Sequence, residues 1–331
     1  MRAALVQEFG PPRSLVLEEV PDLEPGPGEV VIAVGAAGVN FPDILVVQGS
    51  YQHLPPRPFS PGMDAAGRVV AVGAGVERIR VGQRVLALVQ YGGYAEQLLA
   101  PEELVTELPD ALSYEKAAAL GLSSFTAYSA LLWRGRVQTG ETVLVTGAGG
   151  GVGAAAVQLA KVHGARVIAL ARDAGRRALA QRLGADVVLS SNPETLRDDL
   201  LEATSGRGVD VVVDVLGGDY LTQIIRATAW EGRIVIVGFA SGGQNPIKPG
   251  HLLVKNISVL GLQTTDYRDR RPEVTRSAMA EMARLVVQGR VDVAVDAVFP
   301  LEKAGDALQR LKDGQVTGKA VLTTGLEGEH R

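Results

Sequence analysis

Five glycines fall within Gly147-Ala148-Gly149-Gly150-Gly151-Val152-Gly153. A turn so lean in side chains lets backbone amides come close to an anion, and a helix opening at such a turn adds the partial positive charge of its amino terminus. The chemistry that this predicts is capture of a dinucleotide pyrophosphate by Ala148, Gly149, Gly150, Gly151, Val152 and Gly153. Read as Ala148-x-Gly150-x-x-Gly153, the run replaces the first glycine of the usual G-x-G-x-x-G fingerprint by alanine. A second group follows where the next strand should end, at Ala171. A chain that holds the ribose of NAD usually carries Asp or Glu there, whereas this one has Ala171, Arg172 and, a turn later, Arg176 and Arg177. Arginine pairs bidentately with phosphate, so Arg172 and Arg176 predict preference for the 2'-phosphate of NADPH, tempered by the neighbouring Asp173.

These groups need a strand, a turn and a helix to position them, and the pattern supplies such units in series. Strands are predicted at 142–146, 166–171, 187–189, 209–214 and 233–237, with helices between them closed by Gly164 and Gly184 and one opening at Asn192-Pro193. Strands alternating with helices of this length predict a parallel, doubly wound sheet. The first third reads differently, as short strands at 2–7, 29–36, 67–72, 83–89 and 94–99 broken by Gly and Pro. From Ser113 the texture turns helical through Trp133. Beyond about Thr265 come a helix, a strand near 294–299, a helix over 301–311 and a last strand at 319–323. The predicted fold class is α/β, with the doubly wound unit inserted into a mostly β domain: 1–124 and 266–331 form one domain and 125–265 the other.

The 331 residues suit two domains, and 46% hydrophobic against 21% charged residues is the balance of a folded globular chain. A net charge of −4 and the lack of a basic block argue against nucleic-acid or membrane-surface partners. No cysteine is present, which excludes thiolate catalysis and cysteine-ligated metal. His53, His163, His251 and His330 are scattered without ligand spacing. No secretory or spanning segment is read, so the expected location is cytoplasmic.

The chain resembles the zinc-independent quinone oxidoreductases, zeta-crystallin among them, of the medium-chain dehydrogenase/reductase superfamily. The likeness rests on Gly38-Val39-Asn40-Phe41-Pro42-Asp43, Gly62-Met63-Asp64-Ala65-Ala66-Gly67, Val72-Gly73-Ala74-Gly75-Val76, Val81-Gly82-Gln83-Arg84-Val85 and the glycine-rich turn. It implies a GroES-like β domain, a Rossmann domain and a cleft for the nicotinamide. Positions that hold catalytic zinc in related alcohol dehydrogenases match Asn40, Met63 with Asp64, and Leu122, a set unsuited to zinc; no metal ligands are expected. The resemblance further implies that Asn40, Asp43 and Tyr51 lie in the active cleft, where Asn40 and Tyr51 would hydrogen-bond a developing oxyanion. Asn40, Thr126, Gly238, Phe239 and Lys319 would contact the cofactor, and Ser191 stands where the family often has tyrosine. The segment 255–261 resembles the edge strand through which such enzymes form homodimers. The activity implied is hydride transfer from NADPH to a small-molecule quinone or α,β-unsaturated carbonyl. Alternatives are an enoyl-thioester reductase and a nucleotide-binding protein with little turnover.

Overall fold

The computed structural model describes residues 1–326, so His330 lies outside the described residues. In chain order the elements begin with β1 (Arg2–Leu5), β2 (Val16–Glu19), β3 (Glu29–Val39), α1 (Phe41–Val47), β4 (Asp64–Val72), β5 (Arg84–Leu88), β6 (Gln97–Pro101) and β7 (Val105–Glu107). Then come α2 (Tyr114–Tyr128), β8 (Thr142–Thr146), α3 (Gly151–Val162), β9 (Arg166–Ala171), α4 (Ala174–Arg182), β10 (Val187–Ser190), α5 (Leu196–Ala203), β11 (Val209–Asp214), α6 (Gly218–Ala227), β12 (Thr228–Ile236), α7 (Pro249–Leu253) and β13 (Ser258–Gly261). The chain continues through α8 (Thr264–Arg270), α9 (Pro272–Val287), β14 (Val295–Pro300), α10 (Ala304–Lys312) and β15 (Lys319–Thr323). Two compact units result, one from 1–125, 265–289 and 293–331, the other from 126–264 with 290–292.

In the first unit the long strand β3 is central: β4, β6 and β15 all pair with it antiparallel, and β14 joins β15 in parallel. Its inner face is nearly continuously buried, and Val30, Ile32 and Val34 share a core with Ile44 and Val47 of α1, Leu98 of β6, Leu308 of α10 and Leu322 of β15. β2 and β7 are short strands that the sequence pattern does not announce, because polar residues occupy half of each or more. β4 starts at Asp64, before the expected Gly67: the Gly67 backbone packs so closely on Ala33 that strand pairing continues through it.

The second unit carries a six-stranded, all-parallel sheet in the order β10-β9-β8-β11-β12-β13. Its inner strands β8, β9 and β11 are buried on both faces, as helices crossing over a parallel sheet require. Leu144, Ile168, Val212 and Ile234 pack with Leu196 and Leu200 of α5 and Leu221 and Ile224 of α6. The strand order reverses between β8 and β11, and ligands of such sheets lie outside the carboxyl ends of the strands at that reversal.

Three expectations are corrected. α5 opens at Leu196 after Thr195, not at Asn192-Pro193, because the Asn192 side chain accepts from the Glu194 amide (3.1 Å) and turns the chain first. β12 begins at Thr228, since the Gly232 backbone follows Glu231 in a left-handed turn (φ +60°) that lets the strand resume. The helix predicted through Trp133 breaks at Gly121 and ends in a π-helical stretch, Ser129–Arg134.

Candidate functional site

Each unit holds one concentration of chemistry-bearing residues. In the second unit the glycine-rich turn lies at the carboxyl end of β8 and opens α3. A Cβ at Gly153 would sit 2.3 Å from the Gly147 carbonyl oxygen and 2.6 Å from the Ala148 Cα. Only glycine lets the first turn of α3 close on the strand exit, the packing that a pyrophosphate cradle needs. A Cβ at Gly149 would collide with Arg176 at 2.4 Å, so Arg176 is laid directly against the turn.

Arg176 and Arg172 flank Asp173, the amino-terminal cap of α4. The Asp173 carboxylate accepts from the Arg176 amide (2.9 Å) and pairs with both guanidinium groups. The Arg176 amide bond, then the two guanidinium groups, hold the Asp173 carboxyl below its ordinary range. Asp173 is thus spent on the helix and the arginines, while Arg172 keeps 57% of its side chain exposed. Gly238 and Phe239 follow β12: the Gly238 amide donates to the Asp214 carbonyl (3.3 Å), and the Phe239 ring packs where a Cβ on Gly217 would be. Thr126 is buried on α2. The residues expected at the cofactor's phosphates therefore share one end of the sheet, whereas Lys319 and Asn40 belong to the other unit.

In the first unit Asn40, Asp43 and Lys319 come together with two residues that sequence reasoning gave no role, Asp64 as an anchor and Tyr94. Asp64 Oδ1 accepts from Asn40 Nδ2 at 2.7 Å and its Oδ2 from the Leu122 amide at 2.6 Å. The positions matched to a metal site thus meet in space but bond to one another. Gly38 and Gly121 make room: a Cβ on either would lie within 2.5 Å of an Asp64 oxygen. Lys319 Nζ donates to the Val39 carbonyl (3.0 Å) and to Asn40 Oδ1 (2.5 Å). Asp43, at the start of α1, accepts on Oδ2 from the Asn40 amide (2.9 Å) and the Tyr94 hydroxyl (3.0 Å). Its Oδ1 has no hydrogen-bond partner.

Burial, then the charge of Asp64, raises the Asp43 carboxyl to about 7, against the pull of the Asn40 amide, Tyr94 and Lys319. Burial pushes the Tyr94 hydroxyl well above its usual range, and burial lowers the Lys319 ammonium despite Asp64 and Asp43. One ammonium thus serves two buried carboxylates. The Asn40 amide is bonded to Asp64, the Gly38 carbonyl (3.3 Å) and Lys319. Tyr51 is half-buried against the core and is not hydrogen-bonded to the cluster. An acidic residue in Gly62-Met63-Asp64, just before an alternating strand, was the available signal for the anchor; Tyr94 offered none.

Among the described residues no three His, Asp or Glu converge as a metal site would require. Met63 and Leu122 are buried side chains without a hard donor, so the set does not suit zinc.

A dinucleotide cradle on a parallel sheet and a β unit with a buried polar cluster define a medium-chain oxidoreductase architecture. Residues 26–110 match the alcohol dehydrogenase GroES-like domain and residues 151–284 the zinc-binding dehydrogenase family. The chain belongs to the quinone oxidoreductase family of the medium-chain dehydrogenase/reductase superfamily. It is 38% identical over 323 residues to quinone oxidoreductase-like protein 2 of Mus musculus, covering 97% of this chain and 92% of that protein. The structure of Escherichia coli quinone oxidoreductase complexed with NADPH is 30% identical with a TM-score of 0.90, covering 98% of this chain and 100% of that one. An NAD-dependent alcohol dehydrogenase structure is also similar, at 32% identity and a TM-score of 0.89 over 98% and 100% of the two chains.

Proposed function

We propose that this protein is an NADPH-dependent oxidoreductase that passes hydride to a quinone or an α,β-unsaturated carbonyl without a metal. The observation that carries the reading is Arg176 packed on the glycine-rich turn, with the adjacent Asp173 carboxylate already bonded to the α4 amino terminus. That arrangement suits a 2'-phosphate beside a pyrophosphate, and the NADPH complex of the similar bacterial enzyme agrees with it. Ala148, Gly149, Gly150, Gly151, Val152 and Gly153 offer backbone amides to the pyrophosphate. Arg172 and Arg176 hold the 2'-phosphate, and Thr126, Gly238 and Phe239 complete the cofactor set of that unit.

When bound, the reduced nicotinamide supplies the hydride. The protein orients and shields it. Asp64, Asn40 and Lys319 form a rigid floor in their unit, with Asp43 holding the backbone of Asn40; Tyr51 is the free donor for the acceptor oxygen. A conjugated acceptor is favoured because Asn40, Asp64 and Leu122 bond among themselves and the set offers no Lewis-acid site to activate an alcohol. The proposed setting is a cytoplasmic homodimer. β13 lies at the edge of the six-stranded sheet, paired on one side only among the described residues, and an unpaired edge favours pairing between copies. No helix among the described residues is long and apolar enough to cross a membrane.

The test is NADPH absorbance followed with a panel of quinones, enals and enoyl thioesters, with and without a chelator. Consumption with quinones or enals, unchanged by chelator, is expected. Turnover confined to enoyl thioesters would make the chain a thioester reductase, and binding of NADPH without consumption by any acceptor would make it a nucleotide-binding protein.

A further inference from the structure

β11 ends in a residue at odds with its surroundings. Val209, Val211, Val212 and Val213 are fully buried, as a strand covered on both faces should be, yet the strand closes with Asp214, also fully buried. A buried carboxylate is costly unless donors surround it, and here they do. Asp214 Oδ1 accepts from the Thr146 hydroxyl (2.9 Å), the Leu216 amide (3.0 Å) and the Gly217 amide (3.3 Å), while Oδ2 accepts from the Gly217 amide (3.2 Å). Thr146 Oγ in turn accepts from the Val215 amide at 2.9 Å. Thr146 ends β8, so one hydroxyl and one carboxylate join the two strands at the point where the strand order reverses.

The consequence falls on the segment after β11. With three successive amides turned inward, its carbonyls face outward and are tied as well: Val215 accepts from the Ala240 amide (2.9 Å) and Leu216 from the Ser241 amide (3.1 Å) and hydroxyl (2.7 Å). Gly217 and Gly218 follow with φ of +64° and +59°, positive values that glycine adopts readily and that turn the chain into α6. On its other flank, Val215 Cγ2 would lie 2.6 Å from a Cβ on Gly147, so the segment touches the first glycine of the phosphate turn.

In a doubly wound sheet the dinucleotide spans the reversal, with its adenosine half over the first three strands and its other half over the last three. The turn after β8 takes the pyrophosphate, so the exit of β11 is the next backbone the cofactor meets on its way to the nicotinamide. We propose that Thr146 and Asp214 are positioning residues that preset the backbone of Val215, Leu216, Gly217 and Gly218 for the nicotinamide half of NADPH. The inference rests on the functional reading above but assigns these two residues a role which that reading does not need.

Titration calorimetry of the full chain with NADPH and with adenosine 2',5'-bisphosphate, which carries only the adenosine end, tests it in Thr146→Val and Asp214→Asn. Both variants are expected to bind NADPH at least tenfold more weakly while holding the bisphosphate within twofold of the unaltered chain. Equal weakening of both ligands would mean that the pair merely supports the sheet, and unchanged NADPH affinity would mean that the segment needs no presetting; either overturns the proposal. Should Asp214→Asn fail to fold, Thr146→Val decides alone, because it removes the hydroxyl and leaves the carboxylate its backbone donors. If the unaltered chain binds the bisphosphate but not NADPH, the functional reading fails first and takes this inference with it.

Discussion

Replacing Lys319 by Met removes one charge and keeps most of the volume of the side chain. In a surface lysine such a change costs within about 0.5 kcal/mol. Lys319 is instead buried, with Nζ bonded to the Val39 carbonyl and Asn40 Oδ1 and two buried carboxylates close enough to feel its charge. Two acceptors would lose the ammonium as a donor, and removing one partner of a buried charge cluster costs about 3–5 kcal/mol. Against a typical total of about 5–15 kcal/mol, that is a large fraction of the fold's stability. The cost should depend on pH in a defined sense. The Asp43 carboxyl is raised to about 7, so it is protonated at pH 5 and ionised at pH 8, and the cluster around Lys319 carries one more negative charge at the higher pH. Urea unfolding of the cofactor-free protein should therefore show a greater loss at pH 8 than at pH 5. A loss below about 1 kcal/mol at pH 8, or equal losses at the two pH values, would refute the account of the cluster.

Asp43→Asn should flatten part of the pH dependence of stability. Because its folded value is raised, Asp43 contributes stability that is present below about pH 4 and lost as pH rises towards 7, roughly 4 kcal/mol across that window, and urea midpoints of variant and parent between pH 4 and 8 would show the difference. Arg176→Ala should weaken NADPH binding by about 1.5–3 kcal/mol and leave NADH binding nearly unchanged, read from the two dissociation constants; equal losses would place the guanidinium away from the 2'-phosphate. Tyr51→Phe should slow enone turnover by about tenfold, one hydrogen bond's worth, at unchanged thermal stability, while Asn40→Ala should lower stability as well because three of its partners are buried. Turnover and melting temperature measured on both variants separate these roles.

The strands legible to the residue were β8, β9, β11 and β15, whose apolar runs are bounded by turn-forming neighbours and whose burial on both faces leaves no alternation to misread. Local sequence failed where a tertiary contact decided the boundary: the Asn192 side chain turning the chain before α5, and the close approach of Gly67 to Ala33 that lengthens β4. The same division runs through the two candidate sites. Collisions among Gly147, Ala148 and Gly153 are local, so the phosphate turn could be read from spacing. Lys319 meets Asn40 across 279 positions of sequence, and no periodicity announces that pairing or the burial that comes with it. Asp214 lay between these cases, since a carboxylate ending the run Val211-Val212-Val213 was visible but its partner Thr146 ends a different strand.

The most direct test of the central claim follows the hydride itself. NADPH carrying deuterium at the transferred position of its nicotinamide C4, incubated with the protein and an enone, should yield a saturated ketone with one deuterium on the former β-carbon, detected by mass spectrometry and proton NMR. The account predicts that label at full incorporation and in the presence of chelator. A reduced product without deuterium, or deuterium recovered only at the carbinol carbon of an alcohol, would contradict conjugate hydride transfer by this protein.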